Sequence, residues 1–278
     1  MSILSAMILG LIQGVAEFLP ISSSGHLSIF QNFFGLRTAD DGHLLFDALL
    51  HLATLVSVCI FYRKDIAEIV TESVSFVKSV GHPQPGGKKT FPKVRLLLMM
   101  FIATLPLVAI LPIKDHVEQL YYNTTFIGIV LLVTGVVLFF SDRLAVGNRS
   151  EKTMTVKNAI IIGICQAIAI IPGLSRSGST ITAGLFGGLN REFAVKFSFL
   201  ISIPAILGAN LLSLADVVSV GFDTALLPAY LIGMAIAMVT GYLSLGFLRA
   251  ICNKGKFGRF AYYCWAAGIL TIILTIVL

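Results

Sequence analysis

Of the 278 residues, 56% are hydrophobic and only 12% are charged, and mean hydropathy is +0.92. A soluble domain carries about a quarter charged residues, so a water-soluble fold is excluded. The apolar runs are long enough for membrane-spanning helices rather than barrel strands. The net charge of +6 matters less for its sign than for its placement, and no nucleic-acid partner is expected.

The chain opens on MSILSAMILG, which lacks the basic segment and small-residue cleavage site of a secretory signal and reads as part of the mature fold. From Ile3 to Gly35 the sequence is too long for one span and too short for two. Pro20 and the triplet Ser22–Ser24 interrupt it, and a second short helix is expected from about Ser24 towards Phe34. The simplest shape is a helix-loop-helix that enters the membrane and turns back, which is tolerated only where the loop lines a cavity or is buried in protein.

Full spans are predicted at about Leu44–Phe61, Leu96–Ile113 and Thr125–Phe140. The stretch Val80–Pro92, rich in Pro, Gly and Lys, reads as an exposed linker. A second broken element, Asn158–Gly188, is interrupted at Pro172–Ser177. Spans at about Phe193–Leu214, Ala225–Leu248 and Phe260–Leu278 complete an all-α polytopic membrane protein with about six crossings and two re-entrant elements. The four cysteines show no metal-ligand spacing and are expected to be free thiols.

Basic residues cluster in three loops: Arg63, Lys64, Lys78, Lys88, Lys89, Lys93 and Arg95; Arg143, Arg149, Lys152 and Lys157; and Arg249, Lys254, Lys256 and Arg259. The loop Ala215–Thr224 carries Asp216 and Asp223 and neither Lys nor Arg. Threading the spans in order puts the three basic loops on one side, which the positive-inside rule makes cytoplasmic. The first re-entrant element then enters from outside.

An internal repeat is legible. Aligning Gln13 with Gln166 sets an offset of 166 − 13 = 153, which also pairs Gly10 with Gly163, Ala16 with Ala169, Ser22 with Ser175, Ser24 with Ser177, Gly25 with Gly178 and Phe46 with Phe199. The chain is thus expected to be one membrane domain of two repeats, about 1–153 and 154–278. Each copy holds three crossings, so the second is expected to be inverted, as in many transporters.

Both breaks carry chemistry. QGVAEFLPISSSGH (Gln13 to His26) and QAIAIIPGLSRSGST (Gln166 to Thr180) set hydroxyls, glycine and ionisable groups in apolar sequence, where polar groups mark a site. In each, serine and glycine precede a short helix whose free N–H groups and positive dipole end attract an anion. Arg176 adds a fixed cation with a planar fork suited to phosphate oxygens; its place between two serines argues against an arginine snorkelling outwards. Glu17 follows Gln13 by one helical turn; it could ligate a divalent cation, position water, orient a histidine, or lie buried and protonated. His26 reads as a general acid or base, or as a cap, and at least one of Ser22, Ser23 and Ser24 as a helix cap. Asp47 and His51, spaced i, i+4, could support the site or pair in the core. Asn210 is expected to bond between helices; His43, His82 and His116 are placed in loops, and the sequons at Asn123 and Asn148 are assigned nothing.

At these residues the chain resembles the bacterial undecaprenyl-diphosphate phosphatase family, the bacitracin-resistance type. The resemblance rests on Gln13-Gly14-Val15-Ala16-Glu17, on Pro20-Ile21-Ser22-Ser23-Ser24-Gly25-His26 and on Pro172-Gly173-Leu174-Ser175-Arg176-Ser177-Gly178-Ser179-Thr180, and it extends over the whole chain in length and hydropathy. Members that carry Glu at the first position differ here, where Gln13 has no charge. The resemblance implies removal of the terminal phosphate from a C55 isoprenoid diphosphate, which returns the carrier lipid to cell-wall synthesis. It further implies dependence on Mg²⁺ or Ca²⁺ and a site open to the outer face of the plasma membrane. It makes Glu17, Ser23, His26 and Arg176 catalytic, with Ser22, Ser24, Gly25, Ser175, Ser177 and Thr180 as phosphate contacts and Glu17 with Gln13 at the metal. Two points stay open at this level: whether Ser23 attacks phosphorus or positions water, and whether the chain instead transports or flips a phosphorylated lipid. The Gly-rich spans also permit a homodimer.

Overall fold

In the computed structural model, residues 1–35, 42–81, 90–143, 147–220 and 224–277 are described, without the side chains of 42–44, 80–81 and 212–220. The expected Val80–Pro92 linker, with His82, Lys88 and Lys89, falls largely outside these residues, as do Asp223 and the side chains of His43 and Asp216. The described chain is helical, with no strand beyond one isolated bridge between Arg149 and Leu189.

The first broken element is a pair of short helices, α1 (Ile3–Phe18) and α2 (Ser23–Phe33). At about 1.5 Å per residue, α1 reaches roughly 24 Å, short of a hydrocarbon core of about 30 Å. Pro20 lacks the N–H that a continuing helix needs, so the chain turns and restarts. After α3 (Gly42–Phe61) the chain bends by 78° at Tyr62 into α4 (Arg63–Gly81), a helix where the sequence predicts a charged loop. Charges on one face and Ile66, Ile69 and Val70 on the other make this stretch amphipathic, which a search for uniformly apolar spans passes over.

The next predicted span is composite. It runs as α5 (Pro92–Thr104), a 3₁₀ stretch (Leu105–Ile113) and the short α6 (Lys114–Leu120), so His116 is helical rather than in a loop. Pro106 and Pro112 remove two α-helical donors and favour the tighter winding. Then follow α7 (Thr124–Ser141), α8 (Val156–Ile168), α9 (Arg176–Phe186), α10 (Arg191–Val220), α11 (Leu227–Asn253) and α12 (Phe260–Val277). Asn123 turns out to cap α7, its side chain accepting from the Phe126 N–H at 2.9 Å.

Five described segments are long and apolar enough to cross a membrane: Pro92–Leu120, Thr124–Ser141, Arg191–Leu211, Thr224–Asn253 and Phe257–Val277. Leu45–Phe61, as the first arm of the bent pair, brings the number to six. Large apolar side chains face outwards, among them Leu4, Phe101, Leu243, Tyr262 and Ile276. The protein is multi-pass in the membrane. Its four cysteines are free.

Glycines set the helix contacts that matter for the site. A Cβ on Gly10 would lie 2.3 Å from the Gly233 carbonyl oxygen, so α1 and α11 touch backbone to backbone. Gly163, the repeat partner of Gly10, meets Ala103 of α5 in the same way, at 2.5 Å. Gly128 and Gly268 bring α7 against α12. These close approaches are made inside one chain. The three basic segments gather at one end of the bundle: Lys93 pairs with Glu68 and Glu151, Arg191 with Asp142, and Arg249 with Glu192, while Asp142 accepts from the Gly258 N–H.

Candidate active site

The two short-helix pairs meet. A Cβ on Gly25, in the first turn of α2, would sit 2.9 Å from the Gly173 Cα of the second break. Gly173 needs its positive φ of 91° to make this turn, and a side chain there would strike Ile127 and Val130 of α7. The two motifs, 153 residues apart, thus form one site.

Each helix restarts on a serine cap. Ser22 accepts from the Gly25 N–H at 3.2 Å and Ser175 from the Gly178 N–H at 3.1 Å, satisfying donors that would otherwise be orphaned. Ser22 is the one described non-glycine residue at positive φ, 69°. Such a conformation costs about 1–3 kcal/mol and persists where the surroundings hold it. Here the strained residue turns the chain so that Ser23 begins α2 over the end of α1.

Glu17 is the junction. Buried at the end of α1, it accepts at one carboxylate oxygen from the Ser23 hydroxyl at 2.7 Å and from the Gln13 amide at 3.3 Å. Its other oxygen is ion-paired with Arg176 at the start of α9. Arg176 is oriented a second time by the Ser198 carbonyl of α10, 3.5 Å away. His51 of α3 brings Nε2 to 3.7 Å from the Glu17 carboxylate, while its Nδ1–H donates to the Asp47 carbonyl at 2.7 Å. In the neutral ring, Nε2 therefore carries the lone pair. So His51 belongs to the site, whereas the Asp47 carboxylate accepts from Gln31 instead of pairing with His51.

The remaining candidates divide. Ser24 is half-buried, 3.4 Å from the Ser22 hydroxyl. Ser177 lies 3.3 Å from Ser175 and reaches the Leu19 carbonyl at 3.5 Å, stitching one break to the other. Thr180 is turned away, bonded to the Arg176 carbonyl and, at 2.6 Å, to Ser198, so it locks α9 to α10. His26 makes no bond to Glu17 or Ser23. Its Nδ1–H donates to the Ser22 carbonyl at 2.8 Å, which leaves Nε2 to accept from the Tyr263 hydroxyl at 2.8 Å. Tyr263 and Ser198 gave no sequence signal; a tyrosine near a span end and a serine within one are ordinary membrane residues. Asn210 bonds the Ile206 carbonyl of its own helix, not another helix, because it borders an open groove.

Gln13, Glu17 and Ser23 are the residues that would hold a divalent cation here. Among the described residues no three His, Cys, Asp or Glu side chains converge. Gln13 Oε1, however, is buried without a partner beside the Glu17 carboxylate, and Ser23 adds a hydroxyl oxygen. One carboxylate and neutral oxygens fit a hard cation completed by substrate phosphate oxygens and water, as Mg²⁺ commonly is, rather than a closed protein cage.

The model of the bacitracin resistance protein BacA family matches residues 6–270. The chain belongs to the BacA family. It is similar to the undecaprenyl-diphosphatase of Methanosphaera stadtmanae, 41% identical over 290 residues and the full length of both chains. The proteins of the same name from Methanobrevibacter smithii and Carboxydothermus hydrogenoformans are 41% and 40% identical, each over at least 98% of both chains. All three names are those of a hydrolase, which does not favour the transport reading.

Proposed function

We propose that the protein is an integral membrane phosphatase that hydrolyses undecaprenyl diphosphate to undecaprenyl phosphate and inorganic phosphate. One observation carries the mechanism: the buried Glu17 carboxylate holds the Ser23 hydroxyl on one oxygen and Arg176 on the other. A hydroxyl hydrogen-bonded to a carboxylate, beside a fork-shaped cation in an apolar wall, is what attack on a phosphoryl group requires.

The diphosphate enters over the first turns of α2 and α9, where Arg176 exchanges part of its contact with Glu17 for phosphoryl oxygens. Ser23 Oγ attacks the terminal phosphorus and gives its proton to Glu17. The bridging P–O bond breaks, undecaprenyl phosphate leaves, and phosphoserine remains. Glu17 passes the Ser23 proton to the departing undecaprenyl phosphate. Water, deprotonated by Glu17 or by His26 Nε2 once that atom exchanges the Tyr263 hydroxyl for the water, then attacks phosphorus. The Ser23 Oγ–P bond breaks, Ser23 takes back a proton, and phosphate is released. His26 sits one helical turn beyond Ser23, positioned by Tyr263. Glu17 and Gln13 Oε1 would hold Mg²⁺ or Ca²⁺, whose charge neutralises phosphoryl oxygens when bound. The isoprenoid tail starts along an apolar groove of about 130 Å³ between α3 and α10, lined by Leu45, Ala48, Leu49, Leu52 and Leu207, which takes its first isoprene units and leaves the rest to the lipid. His51, at the edge of the polar cluster, is on the same stretch of α3.

In the same reading the two halves are inverted repeats. Their matched caps (Ser22 and Ser175) and matched buried glutamines, Gln13 and Gln166, each with an unpartnered Oε1, support this. The basic end faces the cytoplasm of a bacterial plasma membrane and the site opens outwards.

The test is turnover of lipid labelled on its terminal phosphate by purified wild type and Ser23→Ala. Wild type should release phosphate in detergent and, on acid quench, retain label on Ser23; Ser23→Ala should do neither. Normal release by Ser23→Ala would make water the nucleophile, and inert wild type with Mg²⁺ and with Ca²⁺ would overturn the function.

A further inference from the structure

The basic end of the bundle holds a second polar compartment. At the bend between α3 and α4 a cavity of about 400 Å³ opens, bounded also by the start of α10 and the end of α11. A small-ligand site is typically a cleft of roughly 300–1,000 Å³. It is separate from the Glu17 site: the Tyr62 ring faces Phe199 at 6.5 Å and Phe199 faces Phe18 at 5.5 Å, and both phenylalanines are fully buried. These rings close the space between the two.

The charges in this cavity are not all matched. Lys196 is ion-paired with Asp65 and Glu151, and Arg249 with Glu192. Arg63 makes only a marginal bond of 3.4 Å to the Ile60 carbonyl, and Lys64 has no partner among the described residues. Tyr62 lines the same cavity with 6% of its surface exposed, and its hydroxyl has no hydrogen-bond partner among the described residues. The ring is buried but the hydroxyl itself is not enclosed: it opens on the cavity, where it is free to donate to a ligand. Two cations without an ion-pair partner among the described residues and one unbonded hydroxyl therefore line the cavity at the start of α4.

We infer that this cavity is a binding site for a phosphate-bearing anion, distinct from the site of hydrolysis. A guanidinium fork, an ammonium and a phenol on the lining of one cavity supply positive charge and several donors, which suits the several oxygens of a phosphate group. The position, where apolar spans give way to basic segments, gives access both to lipid headgroups and to the aqueous phase. The source is a phospholipid headgroup or free phosphate, and the experiment separates them.

Two probes are applied to wild type, Arg63→Gln/Lys64→Gln and Tyr62→Phe. Equilibrium binding of radiolabelled inorganic phosphate reads the free anion. Retention of phosphatidylglycerol, with phosphatidylcholine as the neutral control, is read by native mass spectrometry from nanodiscs. With at least one probe, wild type should hold one equivalent that the double variant binds at least ~10-fold more weakly and Tyr62→Phe several-fold more weakly. Hydrolysis should be unchanged in the double variant, because neither residue touches the Glu17 cluster. A response to phosphate alone assigns the free anion, and a response to phosphatidylglycerol assigns the headgroup. Tyr62→Phe keeps the ring stack and every charge, so it reports even if the double variant folds poorly. Equal binding of both probes by wild type and Tyr62→Phe, or by wild type and a folded double variant, overturns the assignment.

Discussion

Arg176→Ala is the perturbation that most directly probes the site. The Glu17 side chain is 5% exposed and Arg176 is the one cation in hydrogen-bond contact with it among the described residues, so truncation strands a buried carboxylate on Ser23 and Gln13. Breaking one partner from a buried pair costs about 3–5 kcal/mol, which should lower the unfolding midpoint on the order of 10 °C. Catalysis should suffer separately. An arginine that neutralises a transferring phosphoryl group is worth ~10³–10⁵ in rate, or about 4–7 kcal/mol of barrier. The two losses are separated by Glu17→Gln/Arg176→Ala, which removes both charges. It should regain most of the midpoint while remaining inactive, because the interaction in a contacting pair is not additive. The assay is release of labelled phosphate from polyprenyl diphosphate in detergent, beside a thermal unfolding scan of each variant. Arg176→Ala turning over within threefold of wild type, or a double variant that recovers activity along with stability, would refute the reasoning.

Tyr263→Phe removes the donor that orients His26 without touching Glu17; kcat should fall ~10-fold or more with KM nearly unchanged, and an unaltered kcat would reduce Tyr263 to packing. Chelation of divalent cations should abolish turnover, and Gln13→Glu, which puts a carboxylate where Oε1 is unpartnered, should lower the half-saturating Mg²⁺ concentration ~10-fold; no shift in a titration of rate against Mg²⁺ would remove Gln13 from the cation site. Gly10→Ala should destabilise by about 1–3 kcal/mol, since the added methyl meets the Gly233 backbone at 2.3 Å and cannot be relieved by a rotamer; an unchanged unfolding midpoint would show that α1 and α11 can part cheaply.

Much of this site was legible before the structure because its signals are local. Pro20 and Pro172 interrupt helices through their own missing N–H, and Ser22 and Ser175 cap the next helix through bonds three residues away. A charged Glu17 or Arg176 in apolar sequence is conspicuous at any depth. The repeat offset singled out Gly10 and Gly163 because close backbone contact excludes every larger side chain.

Other features depended on what the chain meets after folding. The 78° bend at Tyr62 contains no proline or glycine, so nothing local announced it. Thr180 matched the motif but turned towards Ser198, and Asn210 turned back onto its own helix, since each bonds whichever partner the packing leaves nearest. His51 and Tyr263 were decided by distance alone, one reaching Glu17 from 34 residues away in sequence (51 − 17 = 34) and the other reaching His26 from 237.

The chain by itself determined that it is membrane-embedded, where its helices break, and which polar groups are too costly to bury without purpose, because hydropathy, backbone chemistry and capping act over a few residues. Only the tertiary structure decided that the two breaks face one another, that Glu17 joins Ser23 to Arg176, and that an aromatic wall divides this site from the basic cavity. Those facts come from helices meeting at glycine contacts, and the geometry of such meetings is a property of pairs of surfaces that no single segment encodes.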